Sequence, residues 1–198
     1  PIASRWACQH VSSAKRRKLE PSHYLDRCGS SSNTGRREIY CDSSARHGDA
    51  ILSVSPYYNK PTQEGIYQHY KAISEASPLP VMLYNVPRRT GSNMTAETTL
   101  RLAHDFKNII AIKEASGDFD QCNLIIRDKP EGFLFISGDD ALALPLISMG
   151  GVGVISVIGN ALPGIFSTMV RMCLDGKFIE AQPLHYSMIE ITNLLFAE

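Results

Sequence analysis

The residue with the clearest chemical potential in this sequence is Lys113, which closes the apolar run at residues 109–112. The run is rich in β-branched residues and is followed by Ser116 and Gly117, a pattern typical of a buried parallel strand. Lysine is rarely buried, and burial lowers the pKa of its amine. A free amine near neutral pH is the nucleophile that forms a Schiff base with a carbonyl substrate. The alternative is a lysine whose ammonium group reaches water at the end of the strand.

Two further side chains supply what carbonyl chemistry at a lysine requires. Carbinolamine and enamine steps need a proton shuttle, and Tyr84 is a candidate. A substrate carboxylate needs a cation, and Arg89 is a candidate. The alternative readings are an aromatic side chain at a sheet edge for Tyr84 and a solvated loop arginine for Arg89.

These residues must be positioned by the regular elements that the sequence predicts from Asp49 onward. The predicted strands begin 19–29 residues apart and cover residues 51–54, 80–84, 109–113, 133–137 and 152–157. The predicted helices cover residues 64–76, a segment capped by Thr95, residues 119–128, residues 141–149 capped by Asp139 or Asp140, residues 163–174, and residues 177–196 with a kink or split at Pro183. Alternating strands and helices predict an α/β fold with a parallel sheet, either open or closed as a barrel.

Polar residues follow each predicted strand at its carboxyl end, where barrel enzymes build their sites. They are Ser55 to Asn59, Tyr84 to Gly91, Lys113, Ser137 to Asp140, and the glycines at 150, 151 and 153. No glycine-rich phosphate-binding motif occurs at a strand-to-helix turn, which disfavours a nucleotide-binding fold.

Composition argues against several other classes of protein. Cysteines at 8, 28, 41, 122 and 173 form no C-x-x-C pair, and the six histidines form no metal-binding motif, so we expect neither a metal nor another cofactor. No apolar run is long enough to span a membrane and no signal-peptide pattern is present, so we expect a cytoplasmic protein.

Residues 1–48 differ in character from the rest of the chain. They carry nine Lys and Arg against four Asp and Glu, a net of +5, whereas residues 49–198 have a net of −5. They show no sustained hydrophobic period and contain the basic cluster at 15–18, which we interpret as solvated and not as a nucleic-acid site. We therefore expect two segments, an irregular or corrupted one at 1–48 and a folded domain at 49–198.

Four motifs in residues 49–198 resemble the dihydrodipicolinate synthase (4-hydroxy-tetrahydrodipicolinate synthase) family, a group of pyruvate-dependent class I aldolases. They are Ser55-Pro-Tyr-Tyr-Asn-Lys-Pro61, Tyr84-Asn-Val-Pro-Arg-Arg-Thr-Gly91, Ile112-Lys-Glu-Ala-Ser-Gly117, and Ser137-Gly-Asp-Asp140 with Gly150-Gly-Val-Gly-Val-Ile-Ser156. The resemblance implies an incomplete TIM barrel with strands four to eight and the start of a C-terminal helical region.

The resemblance also implies an enzyme that condenses pyruvate with aspartate semialdehyde on the route to diaminopimelate and lysine. It implies that Lys113 forms the Schiff base, Tyr84 relays protons and Arg89 binds the aspartate semialdehyde carboxylate. Tyr58 would complete the proton relay of a neighbouring subunit in a homodimer or homotetramer. Tyr57 would lie near a lysine feedback site, and Ile155 would touch the substrate through its backbone.

The sequence departs from the family upstream of Asp49. The Gly-Thr-Thr-Gly-Glu loop that holds the pyruvate carboxylate is absent, which suggests a frameshifted upstream reading. We therefore expect low stability and little or no activity from this chain by itself. Two alternatives remain open: an N-acetylneuraminate lyase or keto-deoxy sugar acid aldolase of the same superfamily, and a non-catalytic partial-barrel binding protein.

Overall fold

The structure is a computed structural model and describes residues 50–197. Residues 1–48, together with their basic cluster and three of the five cysteines, lie outside this described part. The elements in chain order are β1 (Ile51–Val54), α1 (Gln63–Ala76), β2 (Val81–Asn85), α2 (Pro87–Thr90), α3 (Ala96–Asp105), β3 (Ile109–Glu114), α4 (Phe119–Asp128), β4 (Leu134–Ser137), α5 (Ala143–Ser148), α6 (Ile158–Ala161), α7 (Pro163–Leu174), α8 (Phe178–Ser187) and α9 (Ile189–Leu195).

These elements form an α/β fold on a parallel sheet, as the alternating pattern predicts. The strand order is β1-β2-β3-β4. Strands β1 and β2 pair in parallel, with Ile51 opposite Val81 and Val54 opposite Tyr84. The described residues divide into two compact units, an N-terminal unit (50–112 and 128–133) and a C-terminal unit (113–127 and 134–197).

In the N-terminal unit, helix α1 contacts strand β1. Its buried residues recur at helical spacing and include Ile66, Tyr70 and Ile73, so one face of the helix is apolar. The hydroxyl of Tyr70 donates to the carbonyl oxygen of Ser53 at 2.7 Å, which joins helix to strand. Helix α1 begins at Thr62, whose side chain accepts from the amide of Gly65.

In the C-terminal unit, helices α5 to α9 enclose an apolar core. Its buried members are Ala143, Ile147, Ile158, Phe166, Met169, Val170, Cys173, Ala181 and Met188. Helix α7 supplies four of them at helical spacing and contacts α5, α6 and α8.

The first four predicted strands are confirmed to within one residue at each end. The cap at Thr95 is also confirmed, because its side chain accepts from the amide of Thr98 at 3.3 Å. Helices at Phe119–Asp128 and Pro163–Leu174 have the predicted bounds.

The fifth predicted strand, at residues 152–157, is confirmed only in its first half and does not form a regular strand. Val154 bridges Ser137 in parallel, and three backbone hydrogen bonds join residues 152–155 to β4. The amides of Val157 and Ile158 donate to the Asp140 carboxylate, which leads the chain into helix α6 instead of extending the ladder.

The predicted cap of the following helix is also wrong. Helix α5 begins at Ala143, and neither Asp139 nor Asp140 caps it. Asp139 accepts from the amide of Ala141 in a local turn, and Asp140 is engaged by residues 17 and 18 positions further along the chain. The long-range partners of Asp140 therefore replace the local cap that the sequence suggested.

The predicted helix at 177–196 does divide, but not at Pro183. Helix α8 continues through Pro183, and the break falls at Met188. A proline in a helix leaves the carbonyl of the fourth preceding residue without its amide partner, here that of Ile179. Ile179 lies on the exposed face of α8, with 79% of the residue exposed.

Residues 50–197 include no helix that combines the length and the apolar character needed to cross a membrane.

Candidate active site

Lys113 lies near the end of β3 and is half-buried. Burial lowers the pKa of its amine, and the negative charge of Asp140 partly opposes that effect. The amine is consequently free of its proton at lower pH than an exposed lysine, which is the state that attacks a carbonyl carbon.

Gly138 allows strand β4 to end against the aliphatic chain of Lys113. A methyl group built on Gly138 would lie 3.1 Å from Cε of Lys113 and 2.6 Å from Cβ of Ala115. The amide of Gly138 donates to the carbonyl oxygen of Glu114 at 2.7 Å. Any larger residue at this position would therefore displace the lysine or the backbone beside it. Gly138 belongs to one of the four sequence motifs, but its type and position predicted no role for it.

Glu114 is a second residue that the sequence analysis missed. It follows Lys113 directly, so it points to the other face of β3, where it is 1% exposed. Its carboxylate accepts from the amide of Ser116 at 2.7 Å and from Nε2 of Gln121 at 3.1 Å. These bonds tie the loop after β3 to helix α4. The sequence signal for Glu114 was a carboxylate within a buried strand, at a position whose side chain points into the protein.

Ile155 lies on the segment that runs beside the end of β4. Its amide donates to the carbonyl oxygen of Ser137 at 2.9 Å, and its side chain is half-buried. Asp140 fixes the next turn of the same segment through the amides of Val157 and Ile158. Lys113, Asp140 and Ile155 therefore belong to one unit, the C-terminal unit.

Tyr84 and Arg89 belong to the N-terminal unit. Burial raises the pKa of the half-buried Tyr84 phenol, and the charge of Arg89 partly offsets this shift. The phenol therefore keeps its proton at neutral pH and is a proton donor. Arg89 lies on α2 and is exposed, so its guanidinium is open to a solvent-borne anion.

Asn85 holds the backbone around α2 and is the third residue that the sequence analysis left without a role. It is fully buried. Its Oδ1 accepts from the amide of Met94 at 3.0 Å, and its Nδ2 donates to Oδ1 of Asn93 at 2.8 Å. Because these bonds close the chain from residue 85 to residue 94, they restrain the segment that carries Arg89.

Tyr57 and Tyr58 follow β1 and point away from the core of their unit. Tyr58 is 85% exposed and Tyr57 is 50% exposed.

Metal-binding and reactive-thiol chemistry find no support among the described residues. Residues 50–197 contain no group of three or more His, Cys, Asp or Glu side chains that could hold a metal ion. Cys122 and Cys173 are buried and free of disulfide bonds, and burial raises the pKa of Cys122 to about 12.

Comparison with protein families identifies a match across most of the chain. The model of the "Dihydrodipicolinate synthetase family" matches residues 29–198. The match begins before residue 49, where the sequence analysis placed the start of the folded domain.

Similar proteins agree with this match. The chain is 64% identical over 150 residues to the 4-hydroxy-tetrahydrodipicolinate synthase of Phocaeicola vulgatus, covering 76% of this chain and 50% of that protein. It is 45% identical over 179 residues to the enzyme of the same name from Prosthecochloris aestuarii, covering 89% of this chain and 60% of that protein. The crystal structure of DHDPS from Cyanidioschyzon merolae with lysine bound matches with a TM-score of 0.79 and 44% identity, covering 84% of this chain and 57% of that one. The chain spans about half the length of the curated relatives from Phocaeicola vulgatus and Parabacteroides distasonis that it matches.

Proposed function

The chain belongs to the dihydrodipicolinate synthetase family, and from that membership we propose that the protein is a lyase that condenses pyruvate with aspartate semialdehyde through a Schiff base on Lys113. The reaction would serve diaminopimelate and lysine biosynthesis. The observation that carries the proposal is the half-buried amine at the end of β3, whose pKa is lowered by burial.

The chemistry proposed for Lys113 begins with attack of its neutral amine on the C2 carbonyl carbon of pyruvate. The carbonyl oxygen takes up a proton to give a carbinolamine, and loss of water then forms a protonated imine. Loss of a proton from C3 gives an enamine, whose carbon forms a bond with the aldehyde carbon of aspartate semialdehyde. Each of these steps moves a proton, and general acid–base groups accelerate such steps.

Tyr84 and Arg89 are proposed to assist these steps. The phenol of Tyr84 stays protonated at neutral pH because burial raises its pKa, so it suits the donor role. The exposed guanidinium of Arg89 suits a carboxylate, since arginine offers two parallel donors. Ile155 is proposed to contact substrate through its backbone, which hydrogen bonding to Ser137 fixes in place.

The architecture proposed for the domain is part of a TIM barrel. Strands β1 to β4 would take the places of strands four to seven, and the bridge at Val154 the place of the eighth. The TM-score of 0.79 to a solved DHDPS supports this assignment, as does coverage of 57% of that chain.

The aromatic pair after β1 is proposed to act between subunits. Tyr58 is almost fully exposed, and an exposed tyrosine is a common anchor of protein interfaces. We assign it to the interface of a homodimer, itself part of a homotetramer, in which it completes a partner's proton relay. Tyr57 is assigned to a lysine feedback site, in line with the related structure that has lysine bound.

Borohydride reduction in the presence of pyruvate tests the proposed function directly. Reduction converts the imine to a stable secondary amine, so the peptide that contains Lys113 should gain the mass of the reduced adduct. Lys113→Met should abolish the adduct, whereas Lys107→Met, at an exposed lysine, should not. A folded protein with no adduct at Lys113 would contradict the proposal and favour a non-catalytic binding protein.

Consumption of the second substrate separates the synthase from its aldolase relatives. The turnover that this chain retains should consume aspartate semialdehyde together with pyruvate, while N-acetylneuraminate and keto-deoxy sugar acids should not be cleaved. Arg89→Ala should raise the KM for aspartate semialdehyde more than that for pyruvate, with Arg88→Ala as the neighbouring control. Cleavage of a sugar acid in place of the condensation would assign the chain to the aldolases.

A further inference from the structure

Gln63, the first residue of α1, joins separate parts of the N-terminal unit through one side chain. Its Nε2 donates to the carbonyl oxygen of Asn93 at 2.7 Å, 30 residues further along the chain. Its Oε1 accepts from the amide of Thr95 at 3.1 Å and from the hydroxyl of Thr98 at 2.7 Å. The start of α1 is thereby bound both to the segment that precedes α3 and to the first turn of α3.

These bonds need a side chain that both donates and accepts. A backbone carbonyl only accepts and a backbone amide only donates, so residue 63 must offer a donor to Asn93 and an acceptor to Thr95. Glutamate would lack the donor, and lysine would lack the acceptor. The backbone groups around Gln63 therefore explain why a glutamine suits this position.

The end of β2 binds the same short segment from a second direction. The side chain of Asn85 bonds to the side chain of Asn93 and to the amide of Met94. Met94 is fully buried. Asn93 thus has its side chain bound by Asn85 and its carbonyl oxygen bound by Gln63. Because these two partners belong to β2 and α1, the position of Asn93 is set by both elements.

Arg89 lies on α2, four residues before Asn93. The chain between them forms a tight turn, in which the hydroxyl of Thr90 donates to the carbonyl oxygen of Ser92 at 2.8 Å. Thr90 is only 3% exposed, so the turn is anchored in the protein. Displacement of Asn93 would therefore pass through this turn to the backbone of Arg89.

The loop before α1 makes another contact with the same turn. Gly91 has a φ of 64°, and a methyl group built on it would lie 2.9 Å from Cε of Lys60. The side chain of Lys60 therefore lies against the backbone two residues after Arg89. Together, Lys60 and Gln63 bind the segment that carries Arg89 at two points.

We propose that Gln63 is a positioning residue for Arg89, and that its Nε2 donor sets how well the guanidinium meets the carboxylate of the second substrate. This inference rests on the proposed function, in which Arg89 binds aspartate semialdehyde. Arg89 is exposed, so the backbone beneath it decides where the guanidinium can reach. The bonds of Gln63 lie within the N-terminal unit, whereas Lys113 belongs to the C-terminal unit, so imine formation with pyruvate should not depend on Gln63.

The variant that isolates the donor is Gln63→Glu. It keeps an oxygen that can accept from Thr95 and Thr98, and it loses the bond to Asn93. Gln63→Leu removes both sets of bonds. Gln68→Leu is the matched control, because Gln68 is an exposed glutamine of the same helix whose Nε2 donates to Glu64 within α1 at 2.7 Å.

The first measurement is the modification of Arg89 by phenylglyoxal, read by peptide fragmentation that separates it from Arg88. Aspartate semialdehyde should protect Arg89 in the wild-type protein. Half-protection should need about tenfold more of it in Gln63→Glu and in Gln63→Leu, since a small misplacement of a binding group weakens its contact strongly. Gln68→Leu should match wild type. Equal half-protection in wild type and both Gln63 variants would overturn the proposal.

The second measurement is the yield of the borohydride-trapped pyruvate adduct at Lys113, which should be the same in wild type and Gln63→Glu. A parallel loss of adduct in this variant would show a general effect on the fold and contradict a positioning role. Wild-type protein that traps pyruvate without protection of Arg89 would contradict this inference alone. Protection of Arg89 in a protein that traps no pyruvate would contradict the Schiff-base function alone.

Discussion

At the residue scale, the chemistry proposed here depends on how burial alters two ordinary side chains. The amine of Lys113 loses its proton more readily, while the phenol of Tyr84 holds its proton more firmly. Both shifts have desolvation as their largest cause, because a low-dielectric environment disfavours the charged form of either group. These shifts suit the roles proposed for the two residues, nucleophile for Lys113 and proton donor for Tyr84.

The lowered pKa of the Lys113 amine should reduce the free energy of unfolding. Lys113→Met removes this effect. The folded-state pKa of Lys113 lies below the unfolded value, so the unfolded chain binds more protons in the pH range between the two. The cost is therefore fully present below the folded pKa and disappears as pH rises through the unfolded pKa. The melting temperature of Lys113→Met should exceed that of wild type at neutral pH, by about 2–4 °C for each kcal/mol of unfolding free energy that is recovered.

Thermal denaturation followed by circular dichroism from neutral to alkaline pH checks this expectation. The difference between the two melting temperatures should shrink as pH increases. A constant difference would mean that packing of the methionine, and not the ionisation of Lys113, accounts for it.

Removal of the Tyr84 hydroxyl should slow the chemistry without affecting the fold. Tyr84→Phe keeps the ring on β2 and deletes only the proton donor. The rate of adduct formation should fall by about 10²–10⁴-fold, the usual contribution of a general acid or base. Tyr186→Phe, at an exposed position on α8, should react at the wild-type rate in the same stopped-flow assay. Equal rates in both variants would exclude Tyr84 from the proton transfers.

At the element scale, the ends of the strands decide where these groups lie. Strand β4 ends at Ser137, and the following Gly138 brings its backbone against Lys113 and Glu114. Asn85 directs the chain at the end of β2, where its side chain closes the turn by hydrogen bonds to Asn93 and Met94. In both places a small or buried polar residue sets the path of the chain after the strand.

Gly138→Ala should therefore be costly. Its new methyl group would meet Cβ of Ala115 at 2.6 Å and the carbonyl oxygen of Glu114 at 3.2 Å. Overpacking of this kind costs about 1–3 kcal/mol, and relief of the clash would move Lys113. Urea denaturation should show the loss in stability, and adduct formation at Lys113 should fall with it.

Gly164→Ala provides the matched control for that substitution. Gly164 lies in the first turn of α7, and a methyl group there would meet nothing within 4 Å. Alanine also favours the helix over glycine by about 0.5–1 kcal/mol, so this variant should be as stable as wild type or more stable. A Gly138→Ala protein with wild-type stability would show that β4 can move away from Lys113 without loss of stability.

At the scale of the whole molecule, the described chain consists of two compact units, each with its own hydrogen-bonded and apolar interior. The C-terminal unit carries Lys113, Asp140 and Ile155, and also both described cysteines, Cys122 and Cys173. These thiols are each 1% exposed, and burial raises the pKa of both. They therefore report on the integrity of the unit that carries the lysine.

Thiol labelling should show that this unit opens cooperatively. At pH 8 in the native protein, neither Cys122 nor Cys173 should react with an alkylating reagent, because each is buried and protonated. Both should become labelled over the same range of urea concentration. Peptide mass spectrometry distinguishes these two residues from the other cysteines of the chain. Labelling of one thiol well before the other would indicate local opening in place of a single transition.

The sequence by itself determined the α/β class and the bounds of four strands to within one residue. It also singled out Lys113, Tyr84 and Arg89 as candidate site residues. These features depend on hydrophobic period, β-branching and side-chain type, which are local properties of the chain. Only the tertiary structure decided that the pairing of residues 152–157 with β4 ends after Ile155, because the amides of Val157 and Ile158 donate to the carboxylate of Asp140 instead. The roles of Gly138, Glu114 and Asn85 were likewise decided by contacts with neighbouring strands and loops. Burial, and with it the pKa of Lys113, depends on residues distant in sequence, so no local pattern specifies it.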